Sequence, residues 1–197
     1  MGNIIYNREA LTSLSAFSYQ DQLVVKKQMS GHVFDKKIVR YTAHRCAWGN
    51  PQTIVCTPIS GDKIFPTLFW LTCPFLSRIC GVIESNGGVR DLEQFLYSRF
   101  KGYREYNSTY ALIRLSLLNK TELRFLRIYK RKYFDLLRLT GIGGIRLSNM
   151  LTVKCIHLQL ATYLSLKGHP GSQWFSRNFT SFSCHDPSLC RCIYPLQ

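Results

Sequence analysis

The alternation of hydrophobic and polar residues predicts two short strands in the first third of the chain. Residues 37–43 (KIVRYTA) and 52–58 (QTIVCTP) are rich in β-branched residues, which favour strands. Between them, Trp48-Gly49-Asn50-Pro51 has the composition of a turn. We therefore predict a β-hairpin with Cys46 near its tip.

Apolar residues recur at helical spacing through most of the remaining chain. The predicted helices cover residues 19–29, 89–100, 109–118, 121–139 and 152–166. Another helix follows Cys73-Pro74, where proline suits a first turn, and stops at Asn86-Gly87. The predicted fold is α+β, a mainly helical single domain over residues 1–174 with a small N-terminal β-hairpin or sheet. An irregular, cysteine-containing segment follows at residues 175–197.

Charge and composition narrow the classes of partner. The chain has 197 residues and is 46% hydrophobic, which is enough for a buried core and argues against disorder. Its 26 Lys and Arg against 11 Asp and Glu give a net charge of +15, so we expect an anionic small molecule or nucleic acid as partner. The apolar stretch at residues 64–76 is too short for a membrane span. The first residues lack a secretory signal, which favours the cytoplasm.

Four motifs in this order resemble a widespread bacterial family called domain of unknown function 501. They are RCAWGNPQ, FPTLFWLTCP, GIGGI and VKCIH, at residues 45–52, 65–74, 141–145 and 153–157. The resemblance covers about residues 20–174 and implies no activity, since the family has no established role. Its pattern has histidines where this chain has Asn107, Gln159 and Thr162, whereas Tyr110 and Arg114 match. An essential imidazole cluster is therefore not implied in this chain.

Eight cysteines without an export signal indicate buried thiols, metal ligands or catalytic groups rather than disulfides. Cys46, Cys73 and Cys155 each adjoin a predicted structural break, and one lies in each of three family motifs. Because thiolates select soft metals, we predict these three as ligands of an iron–sulfur cluster or zinc. The chain has no C-x-x-C pair, so packing of these cysteines as core residues stays an alternative.

Further residues are candidates for binding and catalysis. Arg45, Arg78 and Lys154 are predicted to bind the anionic substrate. Cys73 and His157 could form a nucleophile pair across elements, although His157 could equally be a packed histidine bonded to a backbone carbonyl. Whether the protein is an enzyme is left open.

The segment at residues 175–197 holds a second group of possible ligands, namely Cys184, His185, Cys190 and Cys192. It could fold over the domain and donate a fourth metal ligand, or it could carry unligated thiols.

The predicted helix at residues 121–139 favours an alternative function. Its basic side includes Arg124, Arg127, Arg131 and Arg138, and the interleaved Tyr129 and Tyr133 could stack on bases. The chain could thus be a nucleic-acid or polyanion-binding module. A charged stripe of this kind is also typical of the solvated side of an amphipathic helix.

Overall fold

The structure is a computed structural model, and it describes residues 10–31, 35–61, 63–149, 151–188, 190 and 192. The strands are β1 (Ser15–Ala16), β2 (Val39–Arg45), β3 (Pro51–Cys56), β4 (Ile59–Ser60), β5 (Lys63–Ile64) and β6 (Phe69–Leu71). The helices are α1 (Tyr19–Gln28), α2 (Pro74–Ser85), α3 (Gly88–Tyr97), α4 (Phe100–Ser116), α5 (Lys120–Tyr129), α6 (Arg131–Leu139), α7 (Ile156–Ser165) and α8 (Ser172–Asn178). The predicted α+β class is confirmed. The first nine residues, on which the expectation about a leader rests, lie outside the described residues.

The predicted hairpin is the centre of a four-stranded antiparallel sheet. Its strand order is β1-β2-β3-β6, and β2 pairs with β3 through registers such as Thr42 with Ile54. Every residue of β3 is buried, because helices cover both faces of the sheet. Ile54 faces one hydrophobic cluster with Val25 of α1, while Val55 faces the main core with Leu160 of α7.

The helix after Cys73-Pro74 forms as predicted and runs to the Asn86-Gly87 stop signal. Gly87 has φ of +81°, a left-handed conformation that favours glycine. The next helices continue around the core, and α7 packs against both α2 and the sheet. Because α2 has twelve residues, its two ends lie about 16 Å apart along the helix axis.

The predicted helix at residues 121–139 is two helices. The chain breaks at Lys130, whose φ and ψ of −131° and 49° are not helical. The break allows α5 and α6 to pack against each other, and their inner sides meet at Leu126, Phe134 and Leu137. A single straight helix could not bring these three side chains together, since they span three turns.

Helix α4 is longer than predicted and carries the matched Tyr110 and Arg114. Residues 101–108 were missed because their buried positions are polar or aromatic rather than aliphatic. The Tyr110 hydroxyl accepts from the backbone N–H of Leu68 (2.6 Å). Fully buried Arg114 donates to the backbone carbonyls of Pro66, Leu137 and Thr140. These two residues therefore join α4 to the segment before β6 and to the end of α6.

The chain after α7 closes over the main core. Helix α8 crosses the predicted boundary at residue 174, and it buries Trp174 and Phe175. The remaining described residues, 179–188 with 190 and 192, have no regular secondary structure, and we call them the tail. In the part of the chain that the structure describes, no helix has both the length and the hydropathy needed to cross a bilayer.

Candidate metal centre

The hairpin tip that carries Cys46 is fixed by an ion pair between half-buried Arg45 and buried Asp21. Arg45 donates to both carboxylate oxygens of Asp21, each at 2.7 Å, and also to Ser15 and to the carbonyl of Gly49. Burial alone would raise the pKa of Asp21, but the bonds from Arg45, Ser18 and Thr42 lower it. Arg45, predicted as an anion ligand, thus holds the tip against α1 and thereby positions Cys46.

Cys73 lies at the junction where β6 leads into α2. The backbone N–H groups of Thr72 and Cys73 donate to the Gln52 carbonyl at 2.9 and 3.4 Å, which fixes the junction on the sheet. Burial raises the pKa of the Cys73 thiol to about 11, an effect only partly offset by nearby backbone N–H groups. A protonated buried thiol is a poor nucleophile, so the catalytic prediction for Cys73 receives no support from its surroundings.

The tail returns across the hairpin tip. Ala47 donates its backbone N–H to the Ser183 hydroxyl (3.0 Å), and the Trp48 indole donates to the Cys184 carbonyl (2.9 Å). Cys190 and Cys192 are then buried against Val24 of α1. The described residues of the tail therefore lie on the domain, and metal ligation by its thiols stays a prediction.

Five thiols meet at this place, and we call them the thiol cluster: Cys46, Cys73, Cys184, Cys190 and Cys192. Cys184, Cys190 and Cys192 pack together with Phe75, which lies two residues after Cys73. The bond from Trp48 to the Cys184 carbonyl brings the hairpin tip with Cys46 to the same place. Three distant parts of the chain thus supply one group of soft ligands.

The surroundings of the thiol cluster are polar and cationic at its edge. Burial raises the pKa values of Cys190 and Cys192, whereas the nearby charges of Arg78 and Lys27 lower them. Gln28 donates to the Pro51 carbonyl (2.8 Å) and to the Cys192 sulfur (3.2 Å). Its other side-chain atom, Oε1, is buried without a hydrogen-bond partner among the described residues.

The spacing of the thiols limits which metal would fit without movement. No three of the five sulfurs lie within 4.8 Å of one another, since the described residues contain one such group and it is elsewhere. Zinc with Zn–S bonds of about 2.3 Å needs its sulfurs roughly 3.8 Å apart. A zinc ion would therefore draw the thiolates inward, whereas an iron–sulfur cluster holds its thiolates around a larger body.

The other end of α2 carries the group that meets this distance criterion, namely Glu84, Cys155 and His157, which we call the Glu84 group. Glu84 Oε1 accepts from the backbone N–H of Ile156 (2.6 Å) and of His157 (3.3 Å). Cys155 is the N-cap residue of α7 but makes no side-chain cap bond. Glu84 therefore satisfies the N–H groups that every helix leaves unpaired at its start.

His157 has both ring nitrogens engaged in the Glu84 group. Nδ1 lies 2.9 Å from Glu84 Oε1, and Nε2 lies 3.1 Å from the Ser77 carbonyl. Each ring nitrogen therefore has a protein partner within hydrogen-bond distance. His157 has no bond to Cys73, and the alternative of a packed histidine bonded to a carbonyl describes its contacts.

The three predicted ligands are thus divided between two places. Cys46 and Cys73 belong to the thiol cluster, whereas Cys155 belongs to the Glu84 group. The predicted anion ligands divide in the same way, with Arg45 and Arg78 beside the thiol cluster and exposed Lys154 beside Cys155. Cys56 and Cys80 are fully buried in hydrophobic clusters, as expected of core thiols.

The predicted polyanion ligands surround one aromatic ring. The guanidinium groups of Arg127, Arg131 and Arg138 lie 5.1, 5.8 and 6.0 Å from the ring centre of Phe134. Arg131 and Arg138 also pair with Asp135, and Arg124 is exposed on α5. These residues are solvated, as the amphipathic-helix interpretation expects.

The tail thiols were predicted only as possible additional ligands, and the neighbouring Gln28 was not predicted at all. The tail thiols had a usable signal, because three cysteines lie within nine residues from Cys184 to Cys192. Gln28 had none, since a single amide in an amphipathic helix does not indicate what it contacts.

Comparison with known proteins gives one match. A family model described as a protein of unknown function, DUF501, matches residues 42–176, which is more than half of the chain. No curated protein and no solved structure matches. The matched region includes Cys46, Cys73 and the Glu84 group, and it ends before the tail thiols. The chain belongs to the family of domain of unknown function 501.

Proposed function

We propose that the protein binds a metal centre, zinc or an iron–sulfur cluster, through the thiol cluster. The observation that carries this proposal is the meeting of five thiols from the hairpin tip, the start of α2 and the tail. Unligated cysteines pack as small hydrophobic residues, as Cys56 and Cys80 do. Hydrophobic packing alone does not require five thiols to be gathered at one place.

Charge supports the same proposal. A centre held by four thiolates is anionic, and thiolates form only when the metal displaces their protons. Arg78 and Lys27 lie where they lower the pKa values of Cys190 and Cys192 and thereby favour that displacement. Arg45 lies beside Cys46 and adds a third cation.

The incomplete hydrogen bonding of Gln28 is a further support. Buried polar atoms in proteins nearly always have a partner, and Gln28 Oε1 has none among the described residues although the side chain contacts Cys192. The Gln28 N–H that donates to the Cys192 sulfur at 3.2 Å stabilises the thiolate form that a metal requires. We assign no reaction to the centre.

The first experiment is metal analysis of the full chain purified without oxygen, with an absorption spectrum. We expect on the order of one metal centre per chain, seen as zinc without colour or as iron with thiolate-to-iron absorption. Because five thiols exceed four ligand positions, one serine substitution could be compensated by the fifth thiol. The informative variant is therefore the double substitution Cys190→Ser/Cys192→Ser.

The matched control is Cys56→Ser/Cys80→Ser, which also removes two buried thiols but none from the thiol cluster. The proposal expects the first double variant to lose the metal and the folded control to keep it. If Cys155→Ser abolishes metal binding while Cys190→Ser/Cys192→Ser leaves it intact, the centre belongs to the Glu84 group and the proposal is wrong.

A further inference from the structure

Helices α5 and α6 expose an unusual amount of hydrophobic surface. The structure exposes twelve large hydrophobic side chains in its described part, and six of them lie on these two short helices. We call these six the α5–α6 surface: Phe125, Ile128, Tyr129, Tyr133, Leu136 and Leu139. Their exposed fractions run from 38% for Leu136 to 72% for Tyr129. The hydrophobic cluster between the two helices is formed by other residues, such as Leu126 and Leu137. The six exposed side chains are therefore not needed to hold the two helices together.

The aromatic side chains among these six are connected across the two helices. Phe125 and Tyr129 lie 5.5 Å apart between ring centres on α5. A groove of about 370 Å³ joins the helices, with Phe125 on one side and Tyr133 on the other, and Ile59 and Ile64 also line it. An apolar partner would therefore meet this groove and its aromatic rim, with exposed Ile128, Leu136 and Leu139 on the same two helices.

Cations surround this patch, and the nearby acids are already engaged. Residues 120–139 contain seven Lys and Arg against two acids. Glu122 forms the capping box of α5 with Asn119, and Asp135 pairs with Arg131 and Arg138. The surface thus combines apolar side chains with surrounding positive charges. Such a surface complements a partner that has an anionic outer layer over an apolar interior.

We propose that the α5–α6 surface docks on a membrane that contains anionic lipids. Interfacial helices combine basic residues with aromatic and aliphatic ones that enter the headgroup and acyl boundary. Nucleic acid would use the cations and the tyrosines, but it offers nothing to bury Ile128, Leu136 and Leu139. The aliphatic share of the patch therefore favours lipid over nucleic acid. This inference is independent of the metal centre.

The test is sedimentation of the full chain with vesicles of phosphatidylcholine alone or with phosphatidylglycerol, at physiological ionic strength. We expect binding only to the anionic vesicles. Ile128→Ser/Leu139→Ser should weaken it by about tenfold or more, because two apolar side chains no longer leave water. The matched control is Val82→Ser/Tyr97→Ser, two exposed hydrophobic residues on α2 and α3, which should bind like the parent.

A charge variant separates lipid from nucleic acid. Arg124→Glu/Lys132→Glu should reduce vesicle binding by about thirtyfold. Vesicle binding unaffected by Ile128→Ser/Leu139→Ser would overturn the proposal, as would absence of binding to anionic vesicles. Binding to an oligonucleotide that is lost in the charge variant but kept in the apolar variant, without vesicle binding, would assign the surface to nucleic acid instead.

Discussion

The two ends of α2 hold two groups of possible metal ligands, and they differ in how far the protein itself satisfies them. In the Glu84 group, the carboxylate caps α7 and both nitrogens of His157 have protein partners. In the thiol cluster, no three of the sulfurs lie within 4.8 Å of one another, and Gln28 Oε1 has no partner among the residues described. If the metal binds at the thiol cluster, as we propose, unfulfilled bonding capacity is here a better indicator of a metal than short distances between ligand atoms.

The largest expected difference between the two ends is their response to metal removal. The tail has no secondary structure of its own, so we expect thiolate–metal bonds to supply much of its attachment. Treatment of the metal-loaded chain with a strong chelator should increase hydrogen exchange in residues 179–188 by orders of magnitude, while the start of α7 exchanges as before. Equal exchange in the tail with and without metal would contradict a ligand role for its thiols.

The next effect concerns the ion pair that positions Cys46. Asp21→Asn leaves Arg45 without its carboxylate and should lower the free energy of unfolding by about 2–3 kcal/mol at neutral pH. The control is Asp135→Asn, which removes a largely solvated partner and should cost about 0.5 kcal/mol or less. Denaturant unfolding of both variants measures the difference.

The same substitution has a defined pH dependence. The folded-state pKa of Asp21 is below its ordinary value of 3.8, so the carboxylate stabilises the fold fully above that value. This contribution is lost as the pH falls through the lowered pKa. The difference between parent and Asp21→Asn should therefore shrink below about pH 4, and a constant difference would show that the ion pair is not its source.

The smallest effect is expected at the Glu84 group. Glu84→Gln keeps an oxygen acceptor for the first N–H groups of α7 but removes the negative charge that faces them. The free energy of unfolding should fall by about 1 kcal/mol, the usual contribution of a helix cap and its charge. Metal content should not change. If Glu84→Gln keeps the stability of the parent but loses the metal, the metal binds at the Glu84 group and not at the thiol cluster.

The sequence predicted the positions of Cys46 and Cys73 within their own elements, because neighbouring residues determine turns and helix starts. The turn residues Trp48-Gly49-Asn50-Pro51 place Cys46 at a hairpin tip, and Pro74 places Cys73 at a helix start. Both structural predictions are confirmed, because turns and caps depend on neighbouring residues. The break at Lys130 had no such signal, since KRK contains neither Gly nor Pro and the packing of α5 on α6 determines it.

Long-range assembly determines the rest of the site. Cys155 adjoins a helix start just as Cys73 does, but α2 keeps the two starts apart by carrying one at each end. Sequence order does not reveal which end of α2 receives α7, or that the tail returns to the hairpin tip. The family match ends at residue 176, so the tail thiols complete the cluster from outside the matched region.

X-ray absorption at the edge of the bound metal, in the full chain purified without oxygen, tests the central claim most directly. It counts the neighbouring sulfur, nitrogen and oxygen atoms of the metal and so separates the two ends of α2. The thiol cluster predicts a first shell of sulfur alone, from cysteines or from cysteines and the sulfides of a cluster. A first shell containing one sulfur with nitrogen and oxygen would match Cys155, His157 and Glu84, and it would contradict the assignment of the metal to the thiol cluster.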